Sequence, residues 1–285
     1  MTLNLIYSLI LVGVAALVGI AYGIRVKVKG RAQYDRVDRQ GGSALLSKGL
    51  MEAAYWSLQP IARLLVSLHV GPNQISWTSL VFGVFAGSCL AFGHFGFAAF
   101  FATISAFMDS LDGMVARLRG ISSDAGEVLD AAIDRYTEFL FIGGLVIYYR
   151  EIPVLQILAL LALVGSFMVS YSTAKAEALQ IEPPKGSMRR PERALYLILG
   201  AALSPITIPL WETYREFSIP IGHPMVMALC LVAVVANVSS IERFWAIARA
   251  IRIREREQAE AVRRKPRALS SSHGTEEEGQ ELAKI

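Results

Sequence analysis

Seven apolar stretches dominate this sequence of 285 residues. Each has the length of about 20 residues that a helix needs to cross the hydrocarbon core of a bilayer. Charged residues make up 18% of the chain, whereas a soluble domain carries about 25%. The basic residues gather at the ends of the apolar stretches, a pattern typical of membrane topology rather than nucleic-acid binding. We therefore predict an all-α integral membrane protein whose candidate spans are 3–24, 75–93, 96–115, 132–149, 153–175, 192–211 and 223–247.

The N-terminal stretch is predicted to be an uncleaved membrane anchor over residues 1–24. Its basic residues follow the apolar segment, within 25–31, whereas a cleavable signal peptide carries its positive charge before that segment. The positive charge places a cytoplasmic linker at 25–44. From residue 45 to 70, polar positions interrupt the apolar ones. This pattern predicts an amphipathic helix at the membrane interface.

The C-terminal segment 251–285 is predicted to be a cytoplasmic tail. Its first part is strongly basic, which is typical of a solvated helix end and suits contact with anionic lipids. Residues 268–285 are rich in Ser, Gly and Glu, a composition that predicts disorder. An anchor that enters the cytoplasm, followed by six further spans, also returns this tail to the cytoplasm.

Several common site types lack their motifs. Cys89 and Cys230 lie in separate apolar stretches, where each is interpreted as a small buried hydrophobe. The four histidines are scattered, and the sequence contains no HExxH, P-loop or GxSxG pattern. These motifs are the usual signals of zinc, nucleoside-triphosphate and serine-hydrolase sites.

Four aspartates stand at helical spacing beside the apolar stretches. Asp109 and Asp112 are three residues apart and share one helix face, and Asp130 and Asp134 are four apart and share a face of the next helix. The intervening segment 120–126 contains two glycines and two serines, which predicts a turn. Two antiparallel helices would then present both pairs to one small volume.

Divalent cations explain how a membrane protein tolerates four such carboxylates. A carboxylate at membrane depth costs about 2.5–3.5 kcal/mol on insertion scales, and neighbouring carboxylates repel one another. Oxygen ligands without Cys or His favour Mg²⁺ or Mn²⁺, and four of them can hold two ions that clamp a phosphoryl group. The small residues Gly113, Ala116 and Gly126 leave room for a phosphate or nucleotide, and Arg117 suits a phosphate.

The spacing of these residues resembles the motif of the CDP-alcohol phosphatidyltransferase family. The resemblance covers roughly residues 45–250, and the anchor and the tail lie outside it. The matching positions, all at the family's spacing, are Asp112, Gly113, Ala116, Arg117, Gly126, Asp130 and Asp134, with Asp109 as the leading aspartate.

The resemblance implies a six-helix membrane core, here preceded by the amphipathic helix and one extra N-terminal span. It implies an enzyme of phospholipid synthesis in which a hydroxyl attacks the β-phosphorus of a CDP-lipid, such as CDP-diacylglycerol, and CMP leaves. Its active site would open at the cytoplasmic face, here of a prokaryotic plasma membrane. It assigns metal binding to Asp109, Asp112, Asp130 and Asp134, the role of base to Asp134, and CDP binding to Gly113, Ala116, Arg117 and Gly126.

The acceptor alcohol is less well defined by the sequence. Lys175, Arg193 and Arg243 stand near apolar stretches and together could hold a phosphate on the acceptor. The segment 175–193 is similar to the branch of the family that uses inositol 1-phosphate, although Thr173 stands where that branch usually has a lysine. Glycerol 3-phosphate, inositol and serine therefore remain alternative acceptors. Arg189 and Arg190 are interpreted as loop charges on the cytoplasmic side.

Two interpretations of other kinds stay open at this point. A divalent-cation transport protein would also use membrane carboxylates, although Arg117 would oppose cation passage. A silent scaffold with the same fold is a second alternative, although unused buried carboxylates are costly. Gly83 and Gly87 form a GxxxG pair in an apolar helix, which suggests close helix contact and a homodimer as one hypothesis.

Overall fold

The computed structural model describes residues 3–32, 34, 47–121, 123–182, 186–211 and 219–281. Most of the linker predicted at 25–44 lies outside these residues. Every regular element in the described ranges is helical, and a single 3₁₀ turn spans Tyr149–Glu151. The α-helices are α1 (Leu3–Lys29), α2 (Lys48–Ser67), α3 (Pro72–Ala91), α4 (Phe95–Arg119), α5 (Asp124–Tyr148), α6 (Pro153–Ala178), α7 (Arg190–Trp211) and α8 (His223–Glu281).

The helices confirm the all-α membrane architecture. Five of them, α1, α3, α4, α6 and α8, are long and apolar enough to cross a membrane. Helices α5 and α7 coincide with the two other predicted spans and carry charged residues near their N-terminal ends. Helix α2 has the amphipathic sequence expected for an interfacial helix, and Ser47 caps its first turn by accepting a hydrogen bond from the Leu50 N–H.

Helix α8 differs from the expectation for the C-terminal segment. Composition predicts disorder from residue 268, whereas the backbone is helical as far as Glu281. Residues 268–281 contain few apolar side chains that could form a buried core. A helix needs no such core to pair its backbone groups, because its hydrogen bonds form within the helix itself.

The chain divides into two compact units, Met1–Ser170 with Gly186–Ser240, and Tyr171–Lys185 with Ile241–Ile285. The first unit contains the main apolar core, in which Leu90, Phe95 and Leu145 are fully buried. Helix α3 packs along both α4 and α5 in this unit, and α4 also packs on α7. The predicted aspartates lie on α4 and α5, the two helices that α3 packs against.

Glycines bring α3 and α5 into direct backbone contact. A Cβ atom on Gly87 would collide with the carbonyl oxygen of Leu140, and one on Gly144 would collide with the carbonyl oxygen of Gly87. A Cβ on Gly83 would come within 2.8 Å of the Thr137 methyl group. The GxxxG pair is thus covered by α5 of the same chain, and the surface on which the homodimer hypothesis rested is used within one molecule.

Substituting the adjacent glycines Gly143 and Gly144 tests this contact. We expect Gly144→Ala to lower the melting temperature of the detergent-solubilised protein, since overpacking costs about 1–3 kcal/mol. A Cβ on Gly143 meets no atom within 4 Å, so Gly143→Ala should leave stability unchanged or raise it through better helix propensity. Equal melting temperatures for the two variants would contradict the α3–α5 contact.

The extra N-terminal helix α1 is joined to the core by polar contacts at its start. The Asn4 side-chain oxygen accepts hydrogen bonds from the backbone N–H groups of Gly96 and Phe97, at 2.6 and 3.3 Å. It thereby satisfies donors in the first turn of α4, which have no partner within the helix. The Tyr7 ring packs on Phe97 and Phe100, with centroids 4.4 and 5.1 Å away.

The other end of α1 contacts the interfacial helix α2. The Tyr22 hydroxyl donates a 2.9 Å hydrogen bond to Oε2 of Glu52, and only 3% of Glu52 is exposed. The Tyr22 ring also lies against Trp56. Leu58 and Ala62, also on α2, pack in a cluster with Leu111 of α4. Helix α2 is therefore held by α1 and by the helix that carries Asp109 and Asp112.

Removing the Tyr22 hydroxyl should destabilise this end of α1. Tyr22→Phe leaves a buried carboxyl group without its donor, which costs about 1–3 kcal/mol. Tyr171, which is 55% exposed, provides the control substitution Tyr171→Phe, for which we expect no measurable change. Thermal unfolding of both variants in detergent checks this, and a Tyr22→Phe protein as stable as the parent would show that α1 is only loosely attached.

Candidate active site

The turn between α4 and α5 forms as the sequence predicts. Gly120 ends α4 in the left-handed conformation, at φ 66°, which glycine adopts without strain. Ser123 is the N-cap of α5, and its hydroxyl accepts a hydrogen bond from the Gly126 N–H at 3.2 Å. The two caps reverse the chain, so the C-terminal half of α4 lies beside the N-terminal half of α5.

This reversal brings three of the four aspartates together. Asp109, Asp130 and Asp134 each offer one carboxylate oxygen, and these three oxygens lie within 4.8 Å of one another. All three residues are half-buried. In the part of the chain that the structure describes, this is the one group of acidic, His or Cys side chains close enough to share a metal ion.

Asp112 lies apart from this group of three. It is 5% exposed and accepts a 2.6 Å hydrogen bond from the Ser76 hydroxyl of α3, and its other oxygen accepts one from the Gly113 N–H. Ser76 thereby fixes the orientation of Asp112. The sequence predicts Asp112 as a metal ligand beside Asp109, and that role stays a prediction.

Arg190 corrects one interpretation made from the sequence. Instead of a loop charge at the membrane surface, it is the first residue of α7 and pairs with two of the clustered aspartates. Its Nη1 lies 2.7 Å from Oδ2 of Asp109 and its Nη2 lies 2.6 Å from Oδ1 of Asp134. The sequence could not show this, because residues 109 and 190 are 81 positions apart and only the packing of α7 on α4 brings them together.

Glu138 is a site residue that the sequence analysis missed. It lies on α5 four residues after Asp134, so helical spacing alone places it on the same face. Both its oxygens accept hydrogen bonds from Arg193, at 2.6 and 2.9 Å. Arg193 is fully buried and also donates to Ser170 Oγ and the Met188 carbonyl oxygen. The structure thus gives Arg193 a carboxylate partner within the protein rather than an open surface.

The other two residues predicted for the acceptor lie in the second compact unit. Arg243 is buried and donates a 3.2 Å hydrogen bond from Nη1 to the Thr173 hydroxyl, and Lys175 is exposed. The threonine that replaces the expected lysine therefore contacts an arginine of the same predicted pocket.

The predicted CDP-binding residues lie between the two pairs of aspartates. Gly113, Ala116 and Arg117 follow Asp112 on α4, and Gly126 precedes Asp130 on α5. Gly113, Ala116 and Gly126 are half-buried and Arg117 is exposed. A Cβ on Gly126 would come within 3.3 Å of the Ser123 hydroxyl. The glycine therefore also serves the N-cap of α5, and its role in nucleotide binding remains a prediction.

The donor set fits a hard divalent cation. Carboxylate oxygens without Cys or His are the ligands that Mg²⁺ and Mn²⁺ prefer. The three clustered oxygens come from two helices whose packing is fixed by α3, so the ligands are held in place by the fold. A helical membrane protein with such a site has the architecture of a metal-dependent membrane enzyme.

Comparison with known proteins identifies the family. Residues 69–238 match the CDP-alcohol phosphatidyltransferase family. The chain belongs to this family and is an enzyme of its class, a membrane transferase of phospholipid synthesis. The family membership argues against the cation-transport alternative.

Several relatives share one activity name. The chain is 33% identical over 159 residues to a phosphatidylinositol phosphate synthase of Corynebacterium glutamicum, covering 53% of this chain and 72% of the relative. It is 28% identical over 198 residues to the enzyme of that name from Cutibacterium acnes, covering 68% and 93%.

Solved structures of the Mycobacterium tuberculosis phosphatidylinositol phosphate synthase are also similar. One has CDP-DAG bound, and it matches with a TM-score of 0.57 and 26% identity over 66% of this chain and 92% of that chain. Another, in complex with manganese and citrate, matches with the same TM-score and identity over 66% and 87%. Helix α1 lies outside the residues that match the family.

Replacing Asp130, a predicted metal ligand, should weaken Mn²⁺ binding by about tenfold or more, because one charged carboxylate would be lost from the cluster. We expect Asp130→Asn to show this in electron paramagnetic resonance titrations of Mn²⁺ without substrate. Asp124 is an exposed carboxylate on the same helix, and Asp124→Asn should bind Mn²⁺ like the parent. Equal affinities for both variants would move the metal site away from this cluster.

Proposed function

We propose that this enzyme transfers the phosphatidyl group of a CDP-lipid, such as CDP-diacylglycerol, to the hydroxyl of inositol 1-phosphate and releases CMP. The observation that carries the proposal is the family's acidic motif, whose residues Asp109, Asp130 and Asp134 converge within 4.8 Å. The named activity of the relatives and their similarity over most of their own lengths support the acceptor. Glycerol 3-phosphate, inositol and serine are the alternatives.

Residues on α4 and α5 would bind the CDP-lipid and the metal. The aspartates would hold Mg²⁺ or Mn²⁺, which we propose to be two ions, and the Ser76 hydroxyl fixes the orientation of the Asp112 carboxylate. A bound divalent cation supplies charge neutralisation of the diphosphate and polarises the phosphorus–oxygen bond. Gly113, Ala116, Arg117 and Gly126 would form the surface for the cytidine diphosphate group.

Asp134 is proposed as the base. It would accept the proton of the acceptor hydroxyl while the hydroxyl oxygen forms a bond to the β-phosphorus. The bond between the β-phosphorus and the oxygen that bridges to CMP breaks, and CMP leaves with that oxygen. A carboxylate within hydrogen-bond reach of the hydroxyl is suited to this proton transfer.

Lys175 and Arg243 are proposed as contacts for the acceptor phosphate. Both are basic residues of the second unit, and Arg243 is held by Thr173. Arg193 was expected to share this role. Since its Nε, Nη1 and Nη2 atoms all donate to protein oxygens in a buried position, we assign it instead to holding Glu138 beside the aspartates.

The active site is proposed to face the cytoplasm of a prokaryotic cell. The relatives are bacterial. The basic residues in the last turn of α1 and those in the C-terminal part of α8 are the charges that membrane proteins retain on the cytoplasmic side.

An acceptor panel tests the proposal. Purified protein in detergent would receive CDP-diacylglycerol, Mn²⁺ or Mg²⁺, and one of inositol 1-phosphate, glycerol 3-phosphate, inositol or serine, and CMP release would be measured. We expect release with inositol 1-phosphate and none with Asp134→Asn. Release with another acceptor alone would keep the enzyme class and overturn the acceptor. No release with any of them, beside an active relative, would contradict the proposed reaction.

Arg243→Gln should raise the KM for inositol 1-phosphate about tenfold or more and leave the KM for CDP-diacylglycerol within about twofold. The expectation follows from the loss of a charge-assisted hydrogen bond, which is worth about 1.5–3 kcal/mol. Arg249, exposed on the same helix, supplies the control Arg249→Gln, which should behave like the parent. An equal rise in both KM values would indicate a general structural defect instead.

A further inference from the structure

Arg190 occupies the position at which two metal ligands meet. Its guanidinium group bridges Asp109 and Asp134, with both nitrogen–oxygen distances at 2.7 Å or less. The side chain is 24% exposed, and the two carboxylates are 19% and 14% exposed. These are charge-assisted contacts in a partly buried site, so each carboxylate has a strong cationic partner already supplied by the protein.

A divalent cation and this guanidinium group compete for the same carboxylates. Mg²⁺ binds its oxygen ligands at about 2.0–2.1 Å. Two positive groups on the same oxygens also repel each other across a short distance. Metal binding to Asp109 and Asp134 therefore favours departure of the Arg190 guanidinium from its present position.

The surroundings of Arg190 leave space for that departure. The residue lines a cavity of about 70 Å³ bounded by α3, α4, α5 and α7, with Gly83, Ala102 and Leu197 among its apolar walls and Glu138 among its polar ones. The Cα of Arg190 belongs to the first residue of α7, which packs on α4. The side chain can thus leave the carboxylates while its backbone stays beside the cluster.

We infer that Arg190 has two successive partners, the carboxylates of Asp109 and Asp134 in the metal-free protein and the diphosphate of the CDP-lipid in the metal-loaded protein. The second partner rests on the proposed function. An arginine held beside a metal cluster presents a rigid fork that matches phosphate oxygens. The protein would thus keep its aspartates neutralised without metal, and metal loading would release an arginine for the substrate.

The first test measures Mn²⁺ binding without any substrate. Arg190→Gln removes the competing cation, so we expect the affinity for Mn²⁺ to rise about tenfold, within the range usual for coupling between two ligands. The neighbouring substitution Arg189→Gln removes the same charge one residue away, and its Mn²⁺ affinity should stay within twofold of the parent. Unchanged or weaker Mn²⁺ binding by Arg190→Gln would overturn the competition.

The second test asks whether Mn²⁺ displaces the Arg190 guanidinium from the aspartates or whether Arg190 stays in place and only repels the ion. In EDTA, Arg190→Gln should melt below the parent, because the carboxylates of the cluster lose their cation. In saturating Mn²⁺ the variant should melt at or above the parent. In the metal-loaded parent Arg190 no longer contacts those carboxylates, so its removal costs no ion pair. A similar loss of melting temperature in both conditions would show that Arg190 stays on the aspartates when metal binds, and would overturn the inference.

The third test addresses the substrate partner. With Mn²⁺ present, Arg190→Gln should bind CDP about tenfold more weakly than the parent and bind CMP as tightly as the parent. The CDP affinity of Arg190→Lys should lie between those of the parent and Arg190→Gln. Unchanged CDP binding would overturn the diphosphate assignment. Since the first two tests use no nucleotide or acceptor, their outcome does not depend on whether the enzyme uses inositol 1-phosphate.

Discussion

Balancing negative charge inside a membrane protein is the constraint on which this structure depends. Asp109, Asp130 and Asp134 place carboxylate oxygens within 4.8 Å of one another, and such groups cannot all remain ionised in a poorly solvated site without cations. The structure supplies Arg190 for two of them. The donor set suits a divalent metal, so the same repulsion that makes the cluster costly makes it a strong cation site.

The close packing of the helices follows from this constraint. For α4 and α5 to bring their aspartates together, a third helix must hold both of them. Helix α3 does so through Gly87 and Gly144, where the backbones touch directly, and through Ser76, which orients Asp112. None of the clustered carboxylates belongs to α3. Helix α3 nevertheless shapes the site, because Gly87 sets its contact with α5 and Ser76 orients Asp112.

The N-terminal helix is part of this arrangement as well. It lies outside the residues that match the family, yet Asn4 satisfies backbone donors at the start of α4 and Tyr22 binds the buried Glu52 of α2. Polar contacts at both ends make α1 more than a membrane tether. It contacts α4, which carries Asp109 and Asp112, and α2, which packs on α4. These contacts give α1 a physical route to influence the active site.

The sequence alone determined the helical membrane class, the turn around Gly120 and the acidic motif, because apolar length and helical spacing are local properties. Only the tertiary structure decided which arginine pairs with which carboxylate. Arg190 is interpreted from the sequence as a loop charge, and Glu138 is overlooked beside Asp134. In the folded protein Arg190 pairs with Asp109 and Asp134, and Arg193 of the same helix pairs with Glu138. Ion pairing depends on distances across helices, and residues 55 or 81 positions apart acquire those distances only when the helices pack.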